Sequence, residues 1–407
     1  MKTLKFKYNA YYFFSNLIFQ KGIFMLFLTT QRGVSNSEIA ILQLCLLAGM
    51  FLSELPAGMI GDKIGRKFSV IAGLVLLAVS SSGFIYLETF WILCVLFFLE
   101  GMGMAFISGS DQSLLYDNLK QMDKEDQFLK MMSTSLGLSY VSLSIASVVG
   151  GLIQTVSWTM VYGFSSLAIL LSMVFFLLIK DLSADKGRIR EKKSIIGETS
   201  SYFKSKEGRN ILLIFILLGA FEATCMSYFM FSQQFFHIMG IDIYVISLLF
   251  MIGRLLSGFS YFIAPKLEKR FSSRSVIVVT MMGTPIFLIL NLFNIGVFYY
   301  LSFLIIVILP YISNVLNMNF IHSKVPSLIR ASIISVGSMI GSVFLVLSYL
   351  LIGFLLDTTQ LNVTTAFIGL INLLTVIVYI YKTKKMEWGN IHVKNASGDK
   401  RGQKVNY

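Results

Sequence analysis

Twelve apolar stretches, each about twenty residues long, run through this chain at roughly 9–29, 37–60, 68–88, 90–116, 130–154, 159–179, 209–236, 243–265, 275–294, 297–320, 330–352 and 362–382. A helix of that length crosses the hydrocarbon core of a bilayer and satisfies its backbone hydrogen bonds internally. Charged residues make up 14% of the chain and hydrophobic ones 56%, where an average soluble protein carries about 25% charged. A water-soluble enzyme is excluded. The 36 Phe, 18 Tyr and 20 Met beside only 5 Pro suit lipid-facing helices better than the alternating strands of a barrel. The expectation is an all-α membrane fold of twelve transmembrane helices.

A net charge of +13 would point to nucleic acid in a soluble protein, but the positions of the charges say otherwise. With the N-terminus assigned to the cytoplasm, all but three of the 34 Lys and Arg fall before span one, in alternate connections on that same side, or in the tail. The exceptions are Lys21, Arg32 and Arg254. By the positive-inside rule both termini are expected in the cytoplasm of a multi-pass protein of the cell membrane. The basic excess is then mainly a topology signal, and no nucleic-acid partner is expected.

The N-terminal Met1-Lys2-Thr3-Leu4-Lys5-Phe6-Lys7 followed by apolar residues is similar to a signal peptide. No small-residue cleavage site follows, and the apolar stretch is too long and aromatic, so it is read as span one. Cys45, Cys94 and Cys225 lie within apolar stretches, where Cys behaves as a small hydrophobe. No disulfide framework, metal site or cofactor is expected, and His237, His322 and His392 are scattered singly.

The largest interruption, Lys180 to Arg209, is rich in Lys, Arg and Asp and reads as a cytoplasmic linker. It divides the chain into a bundle at 1–180, a linker at 181–208, a second bundle at 209–382 and a basic cytoplasmic tail at 383–407. The halves compare at an offset of about 200 residues, which points to internal duplication. The loop Pro265-Lys266-Leu267-Glu268-Lys269-Arg270 after span eight corresponds to Gly61-Asp62-Lys63-Ile64-Gly65-Arg66-Lys67 after span two.

That second loop lies within Glu54-Leu55-Pro56-Ala57-Gly58-Met59-Ile60-Gly61-Asp62-Lys63-Ile64-Gly65-Arg66-Lys67. Gly58 and Gly65 would allow close helix approach and a tight turn, and Asp62 and Arg66 put opposite charges at helix ends. The run resembles the signature loop of the major facilitator superfamily, which joins spans two and three. The resemblance implies two pseudosymmetric six-helix bundles working by alternating access. It also implies a conformational latch of Gly58, Asp62, Gly65, Arg66 and Lys67, with Asp62 and Arg66 packing the loop against the start of span eleven.

In span five, Ser142-Leu143-Ser144-Ile145-Ala146-Ser147-Val148-Val149-Gly150-Gly151 resembles the superfamily's antiporter motif, with Ser147 where Pro is expected. Small residues alone would also make this a close-packed helix face, and Gly337 and Gly341 of span eleven form a similar packing pair. Span four is similar to the family's span-four motif through Gly101, Gly103 and Ala105, with Phe97 in place of the characteristic Arg.

Ionisable residues within spans are costly and functional by default. Lys21, Glu100, Glu222 and Arg254 cluster near mid-depth when counted at 1.5 Å per residue. The duplication would make Lys21 and Glu222 partners across a central cavity, the first choice for an ion pair or proton-sensitive site. Asn16 and Gln20 continue a polar stripe from Asn9 and Tyr12 in span one, as Asn314 and Asn317 continue one from Pro310 in span ten. Glu100 and Asp111 are spaced to share a face of span four, and Glu54 a stripe of span two with Gln43. For Asp111 and Glu54, capping or pairing with basic loops stays open beside a role in the pathway.

The resemblance implies a secondary active transporter rather than an enzyme, powered by a proton or ion gradient. The Phe- and Met-rich spans suit proton-coupled efflux of hydrophobic or amphiphilic molecules of drug or antimicrobial type. Uptake of a small polar or zwitterionic solute by symport or facilitation is the alternative, and a non-transporting membrane sensor or scaffold is the third reading. The expected partners are the lipid bilayer, a small-molecule substrate and protons, with the chain acting as a monomer.

Overall fold

A computed structural model of the protein describes residues 1–180, 199–326 and 329–384, without the side chains of Asp62, Glu125, Leu129 and Ala331. Most of the expected linker, at 181–198, and of the expected tail, at 385–407, lies outside the described residues.

The helices are α1 (Lys2–Ser15), α2 (Phe24–Arg32), α3 (Asn36–Lys63), α4 (Arg66–Tyr86), α5 (Phe90–Ile107), α6 (Ser110–Lys120), α7 (Phe128–Gln154) and α8 (Trp158–Leu177). They continue as α9 (Lys206–Ile238), α10 (Ile243–Arg270), α11 (Ser273–Leu290), α12 (Gly296–Ile306), α13 (Leu309–Lys324), α14 (Arg330–Thr358) and α15 (Leu361–Thr383). Among the described residues eleven segments are long and apolar enough to cross a membrane. They match the predicted spans two to twelve.

Span one is the exception. It is broken into α1 and α2 around a 3-10 turn at Phe19–Gly22. Span four also breaks, at Gly109, whose φ of 74° is left-handed and favours glycine. Span ten breaks between α12 and α13, where Pro310 sits in the first turn of the new helix, a place where its missing N–H costs nothing. Conversely, Pro265 does not end span eight. Helix α10 runs on to Arg270, so the expected loop at 265–270 is helical.

The described residues pack as two compact units. The first gathers 1–180 with 226–255 and 342–364, and the second gathers 199–225, 256–341 and 365–384, less the two undescribed positions. Besides the division within the expected linker, packing divides inside helices, because α9, α10 and α14 each give part of their length to each unit.

In the first unit α3, α4 and α5 approach to backbone contact. A Cβ on Gly101 would run into the Leu46 carbonyl and one on Gly49 into the Phe98 carbonyl. Cβ atoms on Gly73 and Gly103 would lie 2.6 and 2.9 Å from each other's carbonyl oxygens. Lipid gives helices no hydrophobic reason to associate, so such van der Waals fit holds them together. At its N-terminus α3 carries a capping box, with Glu38 N donating to Ser35 Oγ at 3.2 Å and Ser35 N to Glu38 Oε2 at 2.9 Å. The Asp357 carboxylate, near the end of α14, accepts from the amides of Asn36 at 3.1 Å and Ser37 at 2.8 Å. Gly353, one turn earlier, lies against the Asn36 carbonyl. Arg32 at the end of α2 pairs with Glu88 and donates to the Phe84 and Ile85 carbonyls.

The second unit is tied by polar side chains. Ser302 Oγ of α12 donates to the Phe287 carbonyl of α11 at 2.9 Å, and Asn372 of α15 reaches Thr224 of α9 at 2.7 Å. Gly337 is closed off by the Phe215 ring, whereas a Cβ on Gly341 would meet nothing within 4 Å. The two do not work as a packing pair. Large apolar side chains such as Phe51, Leu55, Trp91, Phe262 and Leu374 are exposed, as surfaces that face acyl chains should be.

These contacts separate two glycines of similar appearance in sequence. Gly101→Ala is expected to lower the thermal midpoint of the detergent-purified protein, since overpacking costs about 1–3 kcal/mol. Gly58→Ala, with nothing within 4 Å of its Cβ, should leave the midpoint unchanged or raise it slightly, because Ala is the better helix former.

Candidate functional site

The site is built on the break in span one. Between α1 and α2 the sequence is Asn16-Leu17-Ile18-Phe19-Gln20-Lys21-Gly22-Ile23. Asn16 Nδ2 turns back onto the Tyr12 carbonyl at 3.0 Å, and Ser142 Oγ of α7 donates to the Phe13 carbonyl. Two carbonyls that would have continued the helix are thus satisfied by side chains. Further on, Phe19 N donates to Ser165 Oγ of α8 at 3.0 Å, and the Ser165 hydroxyl also bonds the Gln20 side chain.

Helix α7 makes room for this turn. A Cβ on Gly150 would strike the Phe19 carbonyl, and Gly22 sits against Ser147. Gly151 faces Ser247 of α10. The small residues of span five that resemble an antiporter motif are therefore the floor on which the broken helix rests. Ser147, standing where that motif has Pro, closes its own hydroxyl on the Leu143 carbonyl at 2.8 Å and stays helical.

Lys21 projects from the turn into a cavity of about 270 Å³ inside the first unit. Glu100 of α5 and Arg254 of α10 line the same cavity, with Gln20, Gln43 and Gln233 as its polar amides. Gln233 is held in place by Met25 N, which donates to its Oε1 at 3.0 Å. The remaining wall is aromatic and thioether. The Phe97 ring lies 5.4 Å from both Phe24, tilted, and Phe84, edge-on, and α9 and α10 contribute Met226, Phe229, Met230 and Phe250.

Three of the four mid-depth charges predicted from sequence thus meet in one place. Glu222 is not among the cavity residues. It lies in the second unit, where Asn314 Nδ2 donates to its Oε1. The expected pairing of Lys21 with Glu222 assumed two continuous, symmetry-related helices. Span one is not a continuous helix at Lys21, and Glu100 is the carboxyl that lines the same cavity as Lys21.

The other candidates have separate places. The break at Gly109 shifts the register of span four, so Asp111 does not share a face with Glu100. Its carboxylate accepts from the Tyr12 hydroxyl and from Gln112 N, both at 2.7 Å, joining α1 to the start of α6. Glu54 is exposed and lies outside the cavity, whereas Gln43 of the same helix lines it. Asn16 is committed to Tyr12 and, at 3.1 Å, to Ser139. Asn317 is buried and accepts from the Tyr379 hydroxyl, tying α13 to α15.

In the span-two loop, Gly65 has a φ of 135° and makes the tight turn, while Gly58 makes no close approach. Arg66 pairs with Asp117 of α6, and Lys67 Nζ donates to the Leu177 carbonyl at 2.7 Å. Both basic residues are thus engaged within the N-terminal helices. The Asp62 side chain lies outside the described residues.

Sequence reasoning missed Ser165, Gln233 and Asp117. Adjacent Gln233 and Gln234 in an apolar span were a visible signal, whereas Ser165 and Asp117 carry none without the fold.

The turn can be tested directly. Gly150→Ala is expected to displace the Phe19 carbonyl and with it Lys21, read as a changed maleimide-labelling rate of a Lys21→Cys reporter and a lower thermal midpoint. Gly163→Ala, in open space on α8, should alter neither.

The comparisons bear on what such a cavity serves. The chain is 28% identical over 130 residues to an uncharacterised MFS-type transporter of Methanocaldococcus jannaschii, a match covering 31% of each chain. Solved structures are alike over far more of the length. A mutant of the nucleoside transporter NupG aligns with a TM-score of 0.79 at 14% identity, covering 93% of this chain and 99% of that one. A D-xylose-proton symporter aligns with a TM-score of 0.70 at 12% identity, covering 92% and 95%. These likenesses speak for the fold alone. The family model of the Major Facilitator Superfamily matches residues 11–348, and the chain therefore belongs to the Major Facilitator Superfamily, as a multi-pass membrane transporter and not an enzyme.

Proposed function

We propose that this transporter exports compact hydrophobic or amphiphilic molecules in exchange for protons, by alternating access across the cell membrane, with both termini in the cytoplasm. The observation that carries the reading is the cavity itself, an aromatic and Met-rich wall with the Glu100 carboxyl set into it. Aromatic and thioether side chains accommodate varied apolar shapes, and a carboxyl is a group that can take up and release the exchanged proton. At about 270 Å³ the cavity falls just below the usual range of ligand sites, about 300–1,000 Å³. That favours molecules of one or two rings over macrolides.

Uptake of a small polar solute by proton symport is the second reading. It is favoured by the opposite charges of Lys21 and Glu100 in one cavity and by the likeness to a D-xylose-proton symporter.

Purified protein in liposomes with an imposed pH gradient separates the two. Export predicts that an amphiphile moves against the proton flow, and that Glu100→Gln cuts this flux by about tenfold or more, within the range general acid–base groups contribute. Glu222→Gln, which keeps the contact with Asn314, should be affected less. Flux independent of the gradient rules out proton coupling, and movement of solute with the protons favours symport.

A further inference from the structure

The charged lining of the cavity is unequal. Lys21 and Arg254 are cationic and Glu100 is the one carboxyl among the lining residues. The lining thus carries two cations against one carboxyl. Excess charge in an apolar site at membrane depth is costly, and a ligand of opposite sign relieves it. A cationic ligand would worsen the excess and a neutral one would leave it.

The polar amides point the same way. Because Met25 N–H donates to Gln233 Oε1, the oxygen of that side chain is occupied on the protein side. Its two N–H groups are the part left to meet a ligand. Lys21, Arg254 and Gln233 thus offer donors from three helical segments, on the span-one turn, α10 and α9, against the single acceptor pair of Glu100. Guanidinium and ammonium donors around a planar acceptor group are the arrangement that fits a carboxylate. The rest of the wall, with Phe24, Phe97, Phe229 and Phe250 among its rings, fits a flat apolar body.

We infer that the substrate is a compact organic anion, an aryl or alicyclic carboxylate whose anionic group is held by Lys21, Arg254 and Gln233 while its ring lies among the aromatic side chains. Glu100 and the bound carboxylate are like charges in one cavity, so an ionised Glu100 opposes the bound anion. This inference rests on the proposal that the cavity is the transport site.

Three probes of nearly one shape test it: 2-naphthoate, 2-naphthamide and 2-naphthylmethylamine. Binding to the detergent-purified full chain is measured by calorimetry and by thermal stabilisation, and flux is measured in liposomes. Naphthoate should bind about tenfold or more tighter than the amide, and the amine weakest. Lys21→Gln and Arg254→Gln should bring naphthoate down to the level of the amide without weakening the amide. Lys21→Arg should keep most of the preference, and Glu100→Gln should strengthen naphthoate binding by removing a like charge from the cavity.

Equal or tighter binding of the amide or the amine, absence of binding by all three, or a preference that survives both Gln variants would overturn the inference. The two proposals fail separately. Carboxylate-selective binding without proton-driven flux leaves this assignment standing and removes proton exchange. Proton-driven flux of neutral or cationic probes with the carboxylate excluded does the reverse.

Discussion

Backbone amides and carbonyls find no water inside a bilayer, so a membrane chain can leave the helical path only where other protein groups take over its hydrogen bonds. The structure depends on one such place. Around Asn16–Ile23 the first span stops being an α-helix, and the groups this releases are met by Asn16 itself, by Ser142 of α7 and by Ser165 of α8. Glycine at position 150 lets the Phe19 carbonyl come close enough for the turn to sit there. Without that face of α7 the interruption would be untenable, and without the interruption Lys21 would be one more residue on a continuous helix.

The cavity follows from this arrangement. The turn carries Lys21 and Gln20 inward, α5 supplies Glu100 with Phe97 one turn before it, and α9 and α10 close the space with Gln233, Arg254 and their aromatic and Met neighbours. Electrostatics and packing are coupled there. The backbone N–H of Met25, in the first turn of α2, orients the Gln233 amide, so the donor pattern of the cavity is set by the shape of the main chain as well as by the side chains lining it.

Spans, topology class and family were legible because they are written in long-range composition: apolar runs of fixed length, basic residues on alternate connections, and a loop of distinctive residues after span two. Lys21, Glu100 and Arg254 were legible as a group because charge in an apolar run stands out. The break in span one was not. Residues 16–23 contain no proline, and what makes the turn tolerable is donated by Ser142, Gly150 and Ser165, more than a hundred residues away. The offset that suggested pairing Lys21 with Glu222 carries less weight for the same reason, since an offset between repeats describes helices only while both remain helices. Pro265 and Gly109 show that local breakers cannot be weighed alone: the proline lies inside α10, while the glycine, with its left-handed φ, separates α5 from α6. Asp117, the partner of Arg66, sits in a polar stretch where nothing marks one acidic residue above its neighbours.

The contact of Asp357 with the start of α3 has one more consequence. The capping box secures the N–H groups of Ser35 and Glu38 within their own sequence. The amides between them, of Asn36 and Ser37, are met by Asp357, contributed by a helix more than three hundred residues further on. A helix end that is secured locally does not unravel when a distant carboxylate lets go. The junction therefore behaves as a clasp and not as a rivet, a contact that can open and close through many cycles while the elements on either side keep their form.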